Sequence, residues 1–136
     1  VLNGTVLVGM FSHKSHPYQE ISQMELSELA FFTDDVGKLT AFYQKLLGKT
    51  PDYTDPRMAV FTYGKITVLI HTRYIQASGD LPPDNHFAFK VVDLDTACDQ
   101  LTQQGVLLEH PPKEYDWGRS AYLRDPDGQL IELAQG

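Results

Sequence analysis

The feature that most constrains the fold is an internal repeat, in which one order of elements occurs twice along the chain. A predicted strand, a helix and then two or three antiparallel strands begin at Met24, and the same order restarts at His86. Comparable positions keep a constant offset, because Glu28 and His86 are 58 residues apart, as are the helix starts Asp35 and Asp93. Repetition at a fixed period indicates duplicated structural units. We therefore expect an α+β fold of two βαβββ modules that form a half-open, eight-stranded barrel around a cleft.

The chain divides into a short extension and one domain. Residues 1–22 do not follow the repeat, so we expect an N-terminal extension there. The rest, residues 23–136, is expected to form a single domain. Its predicted parts are module one (23–76), a linker rich in Gly and Pro (77–85) and module two (86–136).

Local signals place the elements within each module. Asp35 and Asp93 precede apolar residues at helical spacing and predict helix N-caps, and Gly48 and Gly105 predict the two helix ends. Pro111 and its neighbour Pro112 predict a loop, and Pro51 to Pro56 predict a loop or a short irregular strand. The predicted strands are Met24–Phe32, Met58–Tyr63, Ile66–Thr72, His86–Val92, Val106–Glu109, a strand around Tyr122 and Leu123, and Gln129–Ala134, the last two joined by a turn at Asp125–Gly128.

Composition narrows the possible partners and the compartment. The 136 residues are 42% hydrophobic, which is typical of a globular protein. The net charge of −7 argues against nucleic acid or an anionic membrane as a partner, since both attract basic surfaces. The single Cys98 forms no internal disulfide and lies on a predicted helix as a small core residue, which suits the cytoplasm. No apolar run reaches the roughly 20 residues that a membrane span needs.

Two carboxylates lie among apolar neighbours on predicted strands. Glu28 shares a face with Met24, Leu26, Ala30 and Phe32, and Glu132 lies between Leu130 and Ala134. A carboxylate against apolar surface is costly unless a cation or hydrogen-bond donors meet it. The simpler interpretation of Glu132 alone is an edge-strand residue that faces water.

Two histidines complete the set of suspicious residues. His71 is at the end of one predicted strand and His86 at the start of another, and taken alone a histidine like His71 is a surface residue. The repeat, however, pairs Glu28 with His86, and His71 with Glu132 at an offset of 61 residues. We therefore expect all four side chains to converge. Two imidazoles and two carboxylates suit a first-row divalent metal (Zn, Ni, Co, Mn or Fe), with about two coordination positions left for water or substrate.

Three stretches resemble the vicinal oxygen chelate superfamily, which includes glyoxalase I, methylmalonyl-CoA epimerase, fosfomycin and bleomycin resistance proteins and extradiol dioxygenases. The resemblance runs from about Gln23 to Gly136. The stretches are F-Y-Q-K-L-L-G (Phe42 to Gly48), H-F-A-F-K-V-V-D (His86 to Asp93) and Y-L-R-D-P-D-G-Q-L-I-E-L (Tyr122 to Leu133). The resemblance implies paired βαβββ modules and metal ligands at the positions of Glu28, His71, His86 and Glu132.

This chain departs from the family's patterns at two of these positions. Glyoxalase I enzymes usually have His or Gln at the position of Glu28 and Glu at that of His71, so the two types are exchanged here. Extradiol dioxygenases resemble a His, His, Glu triad at the positions of Glu28, His86 and Glu132. The resemblance therefore implies the fold and the metal without fixing one reaction.

Three functions remain open. The first is a glyoxalase-like lyase or isomerase that chelates vicinal oxygens of a small substrate and transfers a proton, with Glu132 as the base and Glu28 as the alternative. The second is a bleomycin-resistance-type protein that sequesters a small molecule, and the third is dioxygenase-like chemistry on a catechol. In each case we expect a homodimer, because an open half-barrel leaves exposed edges. The expected cleft residues are Phe32, Tyr63, Trp117 and Tyr122.

Overall fold

The computed structural model describes residues 24–136, so the predicted extension 1–22 lies outside the described residues. The described part contains one eight-stranded mixed sheet and two helices, in the order strand, helix and three strands, twice over. The predicted α+β fold of two βαβββ modules is confirmed. The elements are β1 (Glu25–Thr33), α1 (Val36–Leu47), β2 (Tyr53–Asp55), β3 (Met58–Tyr63), β4 (Ile66–Thr72), β5 (His86–Val91), α2 (Leu94–Gln103), β6 (Leu108–Tyr115), β7 (Gly118–Arg124) and β8 (Leu130–Gln135).

Both helices begin at the predicted aspartates. The Asp35 side chain accepts a hydrogen bond from the backbone N–H of Lys38 at 2.9 Å, and Asp93 accepts one from Thr96 at 3.1 Å. Each aspartate thereby satisfies a backbone donor that the first helical turn leaves unpaired. Helix α1 ends at Gly48, whose φ of 69° is the left-handed conformation that glycine adopts without a steric penalty.

The two modules join through their first strands. The sheet order is β2-β3-β4-β1-β5-β8-β7-β6, and β1 pairs antiparallel with β5 of the same chain. Each first strand also pairs in parallel with the last strand of its own module, β1 with β4 and β5 with β8. The centre of the sheet therefore contains four strands related by the repeat, while β2 and β6 form open edges.

One face of the sheet packs against the helices. In module one, Phe61 and Ile70 are buried beneath α1, and in module two Val91 and Leu133 are buried together with Leu94 of α2. Burial of a side chain of this size stabilises the fold by about 1.5–3 kcal/mol. Residues of opposite parity on the same strands point to the other face, which contains the cavity described below.

Two predictions about the strands are corrected by the structure. Strand β6 continues through Pro111 and Pro112, where a loop was expected. It pairs only with β7, and its register shifts on both sides of His110, so the missing N–H groups of the prolines fall on an edge strand. In β1, a bulge between Leu26 and Glu28 places Leu26 opposite Phe89, on the helix-facing side, and so not on the face of Glu28.

Cys98 is a core residue, as expected. It is buried in α2, and burial raises the pKa of its thiol to about 11. A thiol with that pKa is a poor nucleophile at neutral pH. Neither of the two helices between residues 24 and 136 has the length and apolar character required to span a bilayer.

Candidate metal centre

Three of the four predicted ligands meet on the face of the sheet opposite the helices. Glu28, His86 and Glu132 each offer a ligand atom, and these atoms lie within 4.8 Å of one another. The cause is the pairing of three adjacent strands, because Glu28 on β1 and Glu132 on β8 both lie opposite Ala88 of β5. Alternation along β5 places His86 on the same face as Ala88, whose small side chain leaves space between the two carboxylates.

The bulge in β1 helps to bring Glu28 to this position. Leu26 pairs with Phe89 and Glu28 pairs with Ala88, so β1 has one extra residue, Ser27, between two successive partners. The Ser27 hydroxyl donates a hydrogen bond to the backbone oxygen of Ala88 at 3.2 Å. A bulge of this kind redirects the side chains that follow it.

The His86 ring is held in one tautomer. Its Nδ1 lies 2.9 Å from the backbone oxygen of Asp84. A carbonyl oxygen only accepts hydrogen bonds, so Nδ1 carries a proton and Nε2 of the neutral ring carries a lone pair. Nε2 lies 3.4 Å from Oε1 of Glu132, which is also an acceptor when ionised. A proton or a cation between these two atoms is needed to make the contact favourable.

Glu132 is an anchored anion. It is 5% exposed, and the buried hydroxyl of Ser120 on β7 donates a hydrogen bond to its Oε2 at 2.7 Å. Burial alone would raise the pKa of Glu132, but hydrogen bonds from His86 and Ser120 outweigh burial and lower the pKa. Burial also opposes charge on His86, yet its hydrogen bonds with Glu132 and Asp84 raise the pKa of His86 overall. The two residues therefore favour an ion pair when no metal is bound.

Glu28 has different surroundings. It is half-buried, and its carboxylate accepts no hydrogen bond from any residue between 24 and 136. Burial, followed by the negative charge of Glu132, raises the pKa of Glu28 to about 7, although the charge of His86 acts in the opposite direction. Glu28 is thus the carboxylate of the site that changes its charge near neutral pH.

The structure places His71 outside the group of three. His71 borders the same cavity, but its Nδ1 lies 2.7 Å from the backbone oxygen of Thr72. Its ring packs against Phe32, with 5.4 Å between the ring centroids. The expectation that four side chains converge is therefore met by three of them, with His71 beside the site.

The register of the parallel strands explains the position of His71. Glu28 pairs with Thr67 of β4, and its repeat mate His86 pairs with Leu130 of β8. Two residues further along each strand are Leu69 and Glu132, which makes Leu69 the equivalent of Glu132. The pairing of His71 with Glu132 by the repeat is corrected, because His71 lies two residues too far along β4.

The three ligand residues lie in the wall of a cavity of about 360 Å³. Phe32, Trp117 and Tyr122 line it, as the sequence predicted, together with His71. Tyr63 does not line the cavity. It is at the end of β3, two residues after the helix-facing Phe61 and therefore on the same face of the sheet, and it is 56% exposed. The lining residues that the sequence did not reveal are Met58, Leu69, Tyr74, Leu81 and Pro82.

A polar network of side chains holds the segment that precedes β5. The guanidinium of Arg124 donates to both carboxylate oxygens of Glu109, at 2.7 and 3.3 Å, and to Asp84 at 3.0 Å. The backbone oxygen of Asp84 is the partner of His86 Nδ1. Sequence patterns assign no role to Ser120, Asp84 or Arg124, although a serine on the apolar strand β7 is a signal of a buried polar contact.

The donor set fits a divalent cation. One imidazole nitrogen and two carboxylates are the borderline and hard donors that first-row divalent metals accept, and a cation would meet both buried negative charges. The hydrogen bond that His86 Nδ1 donates to the backbone oxygen of Asp84 is the kind of outer contact that would orient a metal-binding imidazole, and the hydrogen bond from Ser120 would do the same for Glu132. Three protein ligands leave open coordination positions, as catalytic sites do.

Comparisons with known proteins agree with the fold. The chain is 29% identical over 124 residues to the uncharacterized protein YraH of Bacillus subtilis, covering 81% of this chain and 97% of that protein. It is 32% identical over 117 residues to the glutathione transferase FosA of Serratia marcescens, covering 82% of this chain and 80% of that protein. The crystal structure of methylmalonyl-CoA epimerase from Mycobacterium tuberculosis is similar in fold, with a TM-score of 0.60 and 22% identity over 81% of this chain and 86% of that one. Residues 25–133 match one family as a whole, and the chain belongs to the Glyoxalase/Bleomycin resistance protein/Dioxygenase superfamily.

Proposed function

We propose that this protein is a metal-dependent lyase or isomerase that moves a proton on a carbon atom of a small substrate with vicinal oxygens. The observation that carries the proposal is the convergence of Glu28, His86 and Glu132 in the wall of a largely apolar cavity. A divalent cation held by these residues would polarise a carbonyl oxygen of the substrate. The neighbouring carbon would then be acidic enough for a carboxylate of the site to remove its proton.

The different surroundings of the two carboxylates support different roles. Glu132 is fixed by Ser120 and His86 and keeps its charge, so it suits a permanent ligand. Glu28 has no such bonds within the described residues, so its carboxylate can leave the metal more easily and accept a proton from the substrate. We therefore assign proton transfer to Glu28, whereas the sequence favoured Glu132 with Glu28 as the alternative.

The test is hydrogen–deuterium exchange at carbon, followed by NMR in D₂O with a panel of α-hydroxyketones and dicarbonyl–thiol adducts. The wild-type protein loaded with Zn²⁺, Ni²⁺ or Mn²⁺ should exchange one class of substrate. Glu28→Gln should keep its metal and lose about 10²–10⁴-fold in rate, and Glu132→Gln should lose metal first. Full exchange by metal-loaded Glu28→Gln would move the base to Glu132. No exchange by any loaded wild-type sample would contradict the proposal.

Sequestration of a small molecule is the second candidate, as in the bleomycin-resistance branch of the superfamily. The supporting observation is the aromatic lining of the cavity, which includes Phe32, Tyr74, Trp117 and Tyr122. Dioxygenase chemistry is less well supported, because Glu28 stands where the resemblance implies a histidine. A ligand that binds equally well with and without metal, and is recovered unchanged, would favour sequestration.

The expected homodimer also remains part of the proposal. The sheet has two open edges, and Phe42 and Leu46 on α1 are 56% and 64% exposed. Edges and apolar surface of this kind favour association between copies of a chain. Sedimentation velocity at micromolar concentration should give a dimer, and a monomer would contradict this part of the proposal.

A further inference from the structure

The wall of the cavity offers no lysine or arginine to an anionic group on a substrate. Its charged residues are the carboxylates of Glu28 and Glu132 and the His86 that pairs with Glu132, and no Lys or Arg of residues 24–136 lines it. The remaining 23 residues of the chain contain one Lys, Lys14, and no Arg. An anionic group on a substrate would therefore have no partner in this wall, and the net charge of −7 would repel it at longer range.

Two arginines close in the chain to lining residues, Arg73 and Arg124, have partners elsewhere. Arg73 binds Asp34 at 2.8 Å and the backbone oxygen of Phe32 at 3.3 Å. Arg124 is bound to Glu109 and Asp84. Recruitment of either guanidinium by an anionic substrate would break an existing ion pair.

Aromatic rings from both modules supply most of the remaining wall. Phe32 lies between the metal centre and the first module's Tyr74, with centroid distances of 6.0 Å to His86 and 6.1 Å to Tyr74. Tyr122 of the second module lies 6.0 Å from the same His86 ring. Rings arranged in this way bind apolar rings by burial and by edge-to-face or stacked contacts.

Trp117 extends the aromatic wall to the solvent. It is at the turn between β6 and β7, stacks on Tyr115 with 4.8 Å between ring centroids, and lines the cavity although it is 60% exposed. A large indole that is held rigidly by stacking and left open to water is a surface that a ring-bearing ligand would cover.

His71 adds one polar contact beside these rings. Its Nδ1 faces the backbone oxygen of Thr72, so Nδ1 carries the proton and Nε2 of the neutral ring is an acceptor. No residue between 24 and 136 hydrogen-bonds to that Nε2. A hydroxyl or N–H group on the substrate, beyond the part that meets Glu28 and His86, could donate to it.

We infer that the substrate is a small, uncharged molecule with an apolar, preferably aromatic, ring next to its vicinal oxygens, and that His71 positions it through a hydrogen bond. The inference rests on the proposed function and narrows it. It separates this chain from relatives whose names include glutathione or coenzyme A, because those substrates carry carboxylates or phosphates that need cationic partners.

The chain contains its own reporter for a binding test. Trp117 is the single tryptophan among the 136 residues, so a change in tryptophan fluorescence reports on the cavity. The probes are 4-methylcatechol and catechol-4-sulfonate, which share the two vicinal oxygens and differ in one permanent charge. Fluorescence and calorimetry on the Zn²⁺-loaded protein should show that the neutral probe binds at least about tenfold more tightly. Equal affinity, or tighter binding of the sulfonate, would overturn the inference.

A matched pair of variants tests whether the preference arises in the cavity. Leu81 lines the cavity, and its backbone oxygen accepts a hydrogen bond from the Tyr74 hydroxyl, which a change of the Leu81 side chain leaves in place. Ile75, by contrast, does not line the cavity and is 95% exposed. Leu81→Arg should tighten sulfonate binding about tenfold, and Ile75→Arg, with the same net charge, should change it less than about twofold. Equal effects of both variants would assign the preference to net charge and overturn the local inference.

Removal of the metal separates the failure of this inference from the failure of the proposed function. If chelator-treated protein binds 4-methylcatechol as tightly as loaded protein, metal chelation of the substrate is wrong, while the ratio between the two probes still tests the substrate class. If metal strengthens the binding of both probes but the ratio is near one, the proposed function stands and the substrate class is wrong. 4-Hydroxymethylcatechol offers one more hydrogen-bond donor than 4-methylcatechol. His71→Ala should therefore weaken the binding of 4-hydroxymethylcatechol more than that of 4-methylcatechol, and equal losses of affinity would contradict the role of His71.

Discussion

Leu69 occupies in the first module the position that Glu132 occupies in the second. In the first module Glu28 pairs with Thr67, and Leu69 lies two residues after Thr67. In the second module His86 pairs with Leu130, and Glu132 lies two residues after Leu130. The repeat therefore supplies two strand positions for ligands on the second module and one on the first. This asymmetry places an apolar side chain at the fourth corner of the site and leaves that side open to a substrate.

A fourth ligand can be tested at this corner. Leu69→Glu should bind Zn²⁺ more tightly than the wild type, by about tenfold or more, because the new carboxylate completes the symmetric set. Without metal the same variant should be less stable by about 1–3 kcal/mol, because it adds an unpaired carboxylate next to two others. Thermal unfolding with and without Zn²⁺ checks both signs. Leu69→Gln, which lacks the charge, is the control and should show a smaller gain with metal.

His71 and Glu132 should differ in their effect on metal binding. His71 lies outside the group of three, so His71→Ala should change the Zn²⁺ dissociation constant less than about threefold. Glu132→Ala removes a ligand and the partner of His86, and should weaken binding by at least about 10²-fold. Competition with a chromophoric chelator measures both. A loss for His71→Ala comparable with that of Glu132→Ala would return His71 to the ligand set.

The contrast between these residues shows how far the sequence predicts the site. Alternation along a strand puts Leu69 and His71 on one face, and the offset of 58 residues correctly related Glu28 to His86. The difference between Leu69 and His71 is a matter of register, which depends on the pairing of β4 with β1. Pairing of distant strands is set by the lengths and paths of the intervening loops, and these differ between the modules.

The remaining misses have similar physical causes. The bulge at Ser27 reverses the alternation of β1, and no local residue type marks it. Strand β6 tolerates its two prolines because it is at an edge, which is a property of the whole sheet. On β3, Tyr63 lies on the same face as the helix-facing Phe61, whereas Met58 lies on the opposite face. Consistent use of alternation would therefore have predicted Met58, and not Tyr63, as a cavity residue.

The elevated pKa of Glu28 predicts a pH dependence of metal binding. Burial, followed by repulsion from Glu132, raises that pKa to about 7, and a metal binds only the ionised carboxylate. Affinity for Zn²⁺ should therefore rise with pH through about 7 as Glu28 ionises, and binding below this pH should release a proton from Glu28. His86 also loses a proton when the metal binds, but it does so in both the wild type and Glu28→Gln. The wild type should therefore release about one proton more than the variant, and this proton comes from Glu28. Calorimetry in buffers of different ionisation enthalpy measures this difference, and equal proton release would contradict the assignment.

The same pKa predicts the stability of the metal-free protein. A carboxyl group whose pKa rises from 4.5 to about 7 on folding contributes stability that is fully present below 4.5 and is lost as the pH rises through about 7. For a shift of this size the loss is about 3 kcal/mol at most. Urea unfolding from about pH 4 to about pH 8 should show this decline in the wild type and a smaller one in Glu28→Gln. Identical pH profiles would show that Glu28 is not responsible.

We expect Arg124 to act as a positioning residue for His86. Arg124 binds both oxygens of Glu109 and one of Asp84, and the backbone oxygen of Asp84, at 2.9 Å, holds the proton-bearing Nδ1 of His86. Arg124→Lys keeps the charge but cannot reproduce these forked contacts. Zn²⁺ binding should weaken by about tenfold, within the range found when outer contacts of metal ligands are removed. The ring ¹⁵N shifts of His86 in the metal-free protein should also move, because Asp84 no longer fixes one tautomer.

Arg119 provides the matched control for this variant. Among the described residues it makes one ion pair, with Asp95 of α2 at 2.6 Å, and it does not border the cavity. Arg119→Lys should lower the free energy of unfolding only slightly, as the loss of an exposed ion pair does, and leave Zn²⁺ affinity and the His86 shifts unchanged. If Arg124→Lys lowers stability but also leaves both His86 readouts unchanged, the network is only structural and the orientation of His86 depends on β5 itself.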